Sequence, residues 1–103
     1  MIEELTSADF MPKVLAADGT VMVEFFATWC PHCKEVAPVY NELAEDETGK
    51  ACFYRVDVDK EPELANTYAP YGFPTFCVFS NGEVVRSATG EQSLDYLEGM
   101  LDF

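Results

Sequence analysis

The sequence predicts an α/β protein in which a central mixed β-sheet is flanked by helices. Three observations predict it. Thr20-Val21-Met22-Val23-Glu24-Phe25-Phe26-Ala27 is almost wholly apolar and rich in β-branched and aromatic residues, the composition of a strand buried on both faces. Soon after it, Val36, Val39, Tyr40 and Leu43 recur at three- and four-residue spacing, which marks one face of a helix. Further on, Ser80-Asn81-Gly82-Glu83 separates two strand-like segments, and Asn-Gly tolerates the positive φ angles that a two-residue hairpin loop demands.

The 103 residues suffice for one core and are too few for two, so one domain is expected over residues 1–103. A hydrophobic fraction of 49% and an aromatic fraction of 14% belong to a globular chain, not a disordered one. No apolar run approaches the length of a membrane span. The net charge of −13, from 19 acidic and 6 basic side chains, repels nucleic acid and anionic membrane alike. Neither is expected as a partner. Met1-Ile2-Glu3-Glu4 lacks the basic-then-apolar pattern of a signal peptide, so a cytoplasmic location is expected. Four cysteines, two of them a reactive pair, fit a reducing compartment better than a disulfide scaffold.

Taken in order, Leu5-Thr6 then Ser7-Ala8-Asp9-Phe10 carry helix-capping residues and open a helix that Asp18-Gly19 stops; Pro12 is awkward in a helix beginning at Ser7 and fits better at the first turn of a short one. The apolar strand follows, then a long helix from about Pro31 to Glu47, which Pro38 should kink and Thr48-Gly49 closes. Ala51 to Val58 forms a second buried strand, and Asp59 caps a short helix through Glu63, Leu64 and Ala65. Ala69-Pro70-Tyr71-Gly72 breaks that helix, and Phe73-Pro74-Thr75 leads into the strand Phe76 to Phe79. Val84 to Ser87 returns across the hairpin, Gly90 ends it, and Ser93 caps a last helix whose stripe is Leu94, Leu97 and Leu101. The order β-α-β-α-β-β-α gives parallel strands joined by the long helix and an antiparallel hairpin at one edge.

The chemistry sits at Trp29-Cys30-Pro31-His32-Cys33-Lys34, where the buried strand ends and the long helix begins. With Cys30 as N-cap, its sulfur faces the unpaired amides of His32 and Cys33, and the helix dipole adds partial positive charge. Both favour thiolate, the nucleophilic form. Cys33 is close enough to attack a mixed disulfide formed on Cys30. Three other readings compete. A zinc site needs a second cysteine pair, and Cys52 and Cys77 stand singly, so no metal is expected. A purely structural disulfide over four residues would constrain almost no chain. An inactive but retained pair is the third. Cys52 and Cys77 are expected to be small buried hydrophobes.

With these residues in place, the chain resembles the thioredoxin family over essentially its full length. The resemblance is carried by Phe25-Phe26-Ala27-Thr28-Trp29-Cys30 into Cys33-Lys34, by Pro38, by Phe73-Pro74-Thr75, by Asn81-Gly82-Glu83-Val84 and by Gly90. It implies a thioredoxin fold and a ping-pong cycle through a redox-active Cys30–Cys33 disulfide, with Cys30 the exposed nucleophile and Cys33 the buried resolver. It implies a docking groove made of Trp29, a cis Pro74 with the Phe73 backbone before it, and the Gly90 turn, bordered by Tyr71. It also implies disulfide-bearing target proteins, no bound cofactor, and electrons drawn from NADPH through a flavin-dependent thioredoxin reductase, with the chain acting as a monomer. The strands carrying Cys52 and Cys77 would flank the central strand on opposite sides, out of disulfide reach of each other.

Glu24 stands out without the family. It is the one ionisable side chain in an otherwise apolar strand, six residues before Cys30. Burial would raise its pKa and make it a proton carrier, whereas a surface-facing Glu24 is the alternative. Thioredoxins usually hold an aspartate there, and Arg55 matches the lysine beside that acid. The larger departure is Pro31-His32, where the family usually carries Gly-Pro. That dipeptide resembles the one in the periplasmic oxidant of the same superfamily. So a thiol oxidase or isomerase stands beside the reductant, and a thioredoxin-fold interaction module that makes no use of its cysteines is the reading from another class.

Overall fold

Five strands in the order β1-β3-β2-β4-β5 make one mixed sheet. A computed structural model describes residues 2–102; Met1 and Phe103, the ends of the expected domain, lie outside the described residues. The strands are β1 (Glu3–Glu4), β2 (Thr20–Phe26), β3 (Cys52–Asp57), β4 (Thr75–Ser80) and β5 (Glu83–Thr89). The helices are α1 (Ser7–Phe10), α2 (Pro31–Asp46), α3 (Pro62–Tyr68) and α4 (Leu94–Met100). β2 is central, parallel to β3 from Val21↔Cys52 to Phe26↔Asp57 and antiparallel to β4 from Thr20↔Ser80 to Phe25↔Thr75. The fold matches the mixed, helix-flanked sheet expected from the sequence.

Both faces of β2 are buried, which is why its apolar residues run without alternation. Val21, Val23 and Phe25 pack with Phe10, Val14, Ala65 and Phe79 on one face. Met22 packs with Val36, Tyr40, Leu43 and Leu97 on the other. Glu24 follows Met22 by two residues and therefore points to the same face, against α2. The hairpin forms as predicted, with Asn81 at φ 49° and Gly82 at φ 85°. Glycine is required at position 82 for a second reason: a Cβ there would lie 2.2 Å from the Leu15 carbonyl oxygen. Ser93 caps α4 by accepting the Tyr96 N–H at 3.1 Å.

Thr6 is the cap of α1, which begins at Ser7, and the Asp9 carboxylate accepts both the Thr6 N–H (3.2 Å) and its hydroxyl (3.0 Å). Pro12 lies in the first turn of a further short helical segment, Met11–Leu15, which widens into a π-helical turn with the Ala16 N–H reaching the Met11 carbonyl at 2.8 Å. That turn suits a residue that offers no N–H of its own. Three expectations are corrected. β3 is buried only at Val56 and Asp57, since its outer neighbour β1 pairs with Tyr54 and Arg55 alone. Cys52, ahead of that pairing, is consequently exposed, whereas Cys77 is buried as expected. The two lie on strands either side of β2, opposite Val21 and Val23, so two strand spacings and a two-residue offset put them about 12 Å apart. Finally, Asp59 does not cap α3, whose N-cap is Glu61.

Candidate functional site

Cys30 is the N-cap of α2, in extended backbone at φ −85° and ψ 117°, and Pro31 occupies the first helical position, where its missing N–H costs nothing. The Cys33 N–H points at the Cys30 sulfur at 3.3 Å. A helix N-terminus is where a protein holds negative charge. The His32 amide, expected to share this role, makes no such contact; the interaction belongs to Cys33 alone. On its other side the Cys30 thiol donates weakly to the Phe73 carbonyl at 3.7 Å.

Exposure does not separate the two cysteines as expected. Cys30 is 5% exposed and Cys33 is 3% exposed. The Phe73 carbonyl lies 3.7 Å from the Cys30 sulfur and helps to cover it. What separates them is electrostatics. Burial first, then the contact with Cys30 sulfur, pushes the Cys33 thiol up to about 12. Cys33 is therefore held as a thiol at neutral pH, a form that is a nucleophile only once a base takes its proton.

Glu24 supplies a candidate base. Its side chain is fully buried, which disposes of the surface-facing alternative. Arg55 Nε lies 3.3 Å from Glu24 Oε1, and the guanidinium carbon stacks 4.2 Å from the centroid of the Phe26 ring. Neither Glu24 oxygen has a well-aligned hydrogen bond among the described residues. Desolvation thus outweighs the pull of Arg55, and the carboxyl is raised from the ordinary value to about 7. Phe26, Ala27, Cys33 and Arg55 line a shallow cleft beside α2.

The groove residues gather around Cys30 through a chain of contacts. The Trp29 indole N–H donates to Asp59 Oδ2 at 2.8 Å, and its ring meets Phe73 edge-on at 6.3 Å. Held by that edge and that bond, Trp29 still leaves 62% of its surface open. The Phe73–Pro74 bond is cis, as the resemblance implied. The Gly90 N–H donates to the Pro74 carbonyl at 2.7 Å, which fixes the Gly90 turn beside the proline loop. Thr75, buried behind the loop, donates to the Gly72 carbonyl at 2.7 Å. Tyr71 is 88% exposed on the same loop.

Two members of this surface were not read from the sequence. Asp59, taken there for a helix cap, positions Trp29. Glu91, the residue after Gly90, lies 3.0 Å from His32 Nδ1 through Oε1. Its adjacency to Gly90 was the available signal. Among the described residues, His32, Glu35 and Glu91 alone bring three potential metal-ligating atoms together, within 4.8 Å, and all three are exposed. The positive end of α2 opposes a cation there, and neither Cys30 nor Cys33 takes part.

The thioredoxin family model matches residues 1–102. The chain belongs to the thioredoxin family. Curated thioredoxins of Staphylococcus aureus strains Mu50, MW2 and N315 are each 43% identical to it over 101 residues, covering 98% of this chain and 95% of the relative. Thioredoxins are thiol–disulfide oxidoreductases, and so is this chain. They bind no cofactor themselves and act through a redox-active disulfide on disulfide-containing targets, with thioredoxin reductase as a further partner. Among the described residues no helix is long and apolar enough to cross a membrane.

Proposed function

We propose that the chain is a single-domain, monomeric, cytoplasmic reductant of protein disulfides, with Cys30 and Cys33 as its redox pair. Cys30 thiolate attacks one sulfur of a target disulfide; a Cys30–target bond forms, the target S–S bond breaks, and the leaving sulfur departs as thiolate. Cys33 then gives its proton to Glu24 and attacks Cys30. The target's second thiolate leaves, and the Cys30–Cys33 disulfide remains. Two electrons have passed to the target. Arg55 positions Glu24 and limits how far its pKa rises. Trp29, Phe73, Pro74, Gly90 and Tyr71 form the docking groove, and NADPH restores the dithiol through a flavin-dependent reductase. The observation that carries this reading is the Cys33 N–H on the Cys30 sulfur at the head of α2.

The test couples the protein to thioredoxin reductase and NADPH with insulin as the disulfide. NADPH consumption that requires insulin is expected, and it should vanish in Cys30→Ser. Consumption that survives Cys30→Ser would remove the redox role from this cysteine and favour a module that works without it.

Pro31-His32 bears on direction. A cation or N–H donor near Cys30 stabilises thiolate, which exists only in the reduced form, and so raises the potential. His32 is drawn to Glu91, however, and that carboxylate offsets positive charge on the ring. The potential is expected to fall between about −270 mV for thioredoxin and about −120 mV for the strong oxidant of the superfamily. Glutathione equilibration should place the Pro31→Gly/His32→Pro double variant lower. Agreement of the two within about 10 mV would refute an effect of the dipeptide.

A further inference from the structure

We infer that Phe26 is a positioning residue whose ring holds the Arg55 guanidinium off the Glu24 carboxyl and so keeps that carboxyl free to accept a proton. The inference deepens the proposed resolution step, and rests on it only for the use to which the acceptor is put. Glu24 and Arg55 are register partners on the parallel strands β2 and β3, so their side chains leave the sheet on one face. Phe26 follows Glu24 by two residues and shares that face. The three are in mutual contact. Arg55 Nε lies 3.3 Å from Glu24 Oε1, and the guanidinium carbon lies 4.2 Å from the Phe26 ring centroid.

At their strongest, an arginine and a carboxylate share two parallel N–H···O bonds. That fork is absent. Neither Glu24 oxygen nor Arg55 Nε has a well-aligned hydrogen bond among the described residues, although Glu24 is fully buried. Buried polar groups normally find partners, so a cation that touches this carboxyl without bonding to it is under restraint. The ring supplies the restraint: contact with its face fixes where the guanidinium sits, and from there Nε meets Oε1 out of line. From α2, Cys33 and Tyr40 act on the same carboxyl, and Lys34 lines the cleft beside Arg55. The Tyr40 hydroxyl is committed to the Met22 and Tyr54 carbonyls, at 3.1 Å and 2.8 Å. Glu24 pairs on β4 with Phe76, and the buried residues α4 adds on this side, Leu97 and Met100, are apolar. Arg55 is thus the one cation in contact with Glu24 among the described residues. Because arginine never gives up its charge, a closed fork would hold Glu24 ionised and make it a poor base.

The test follows the Glu24 side-chain carboxyl carbon by NMR as pH is varied, in the reduced protein. Phe26→Leu releases the guanidinium to close on Glu24, and the titration midpoint is expected to fall by about one pH unit or more from about 7. Phe26→Tyr keeps a ring face and should leave the midpoint in place. Opening the cleft to water would also lower it, so Phe26→Leu is repeated in Arg55→Gln. There it should no longer shift the midpoint, because the group through which the ring acts is gone. An unchanged or raised midpoint in Phe26→Leu overturns the inference. So does a fall of the same size with Arg55 replaced, which would make Phe26 a plug against water and nothing more. The pH midpoint of mixed-disulfide resolution should move with that of the carboxyl. If the carboxyl midpoint falls while the resolution profile stays, the positioning by Phe26 is upheld and it is the role of Glu24 in resolution that fails.

Discussion

A Cys33→Ser variant is expected to stop the reaction at its midpoint and accumulate target proteins as stable mixed disulfides on Cys30. Cys33 lies within one helical turn of Cys30, so resolution is intramolecular. Replacing it with an external thiol forfeits an effective concentration that well-oriented groups raise by many orders of magnitude, and turnover should fall about a thousandfold or more. The trapped species should run as a covalent adduct that reductant dissolves. The same asymmetry is readable by alkylation. With its thiol pushed up to about 12, Cys33 is held as thiol at neutral pH, whereas the Cys30 sulfur receives the Cys33 N–H at the head of α2. Cys30 should therefore take label at least a hundredfold faster than Cys33. Equal labelling, or a Cys33→Ser variant that traps nothing, would exchange or abolish the assigned roles.

The parts of the fold legible in the sequence are those whose signal is local. β2 announced itself because both its faces are covered, so its residues need no alternation. Asn81-Gly82 announced the hairpin because few other pairs accept both positive φ angles. Ser93 announced α4 through a contact three residues away. β3 was misjudged because its burial depends on β1, a two-residue strand with no pattern of its own. Cys52 shows the consequence: an apolar run looked like a core strand, but its first residue has no neighbour to cover it.

The site divides in the same way. The Cys30–Cys33 spacing, Pro31 at the first helical position and the Glu24 anomaly all lie within ten residues of one another, and their placement on a strand end, a helix N-terminus and a buried face followed from local pattern. Asp59 and Glu91 did not. Their partners Trp29 and His32 lie 30 and 59 positions away, and nothing short of the folded chain brings them together. The burial of Cys30 was hidden for a similar reason. It is the Phe73 carbonyl, 43 residues on, that closes over the sulfur.

Replacing Glu24 with Gln should leave stability unchanged near pH 4.5 and make the protein markedly more stable at neutral and alkaline pH. In the folded state burial raises this carboxyl to about 7, from the 4.5 of an ordinary glutamate. Between those two values the native protein binds the proton more tightly than the unfolded chain does. Its contribution to stability is complete below pH 4.5 and is lost as pH rises through about 7. At about 1.4 kcal/mol per pKa unit, the loss amounts to about 3 kcal/mol. Glutamine matches the protonated acid in shape and polarity but cannot ionise. Wild type and variant should therefore unfold alike near pH 4.5 and diverge above it, reaching roughly 10–20 °C in melting temperature by pH 8. The other carboxylates titrate in both proteins, so the difference between the two curves isolates Glu24. A difference independent of pH would mean that Glu24 is ionised throughout and that Arg55 dominates its environment. The same variant should resolve mixed disulfides more slowly, because the Cys33 proton has lost its acceptor, and it should lose any rise in that rate as pH passes through about 7. A more stable protein that turns over more slowly is the pairing expected when a buried acid is kept for chemistry against the preference of the fold.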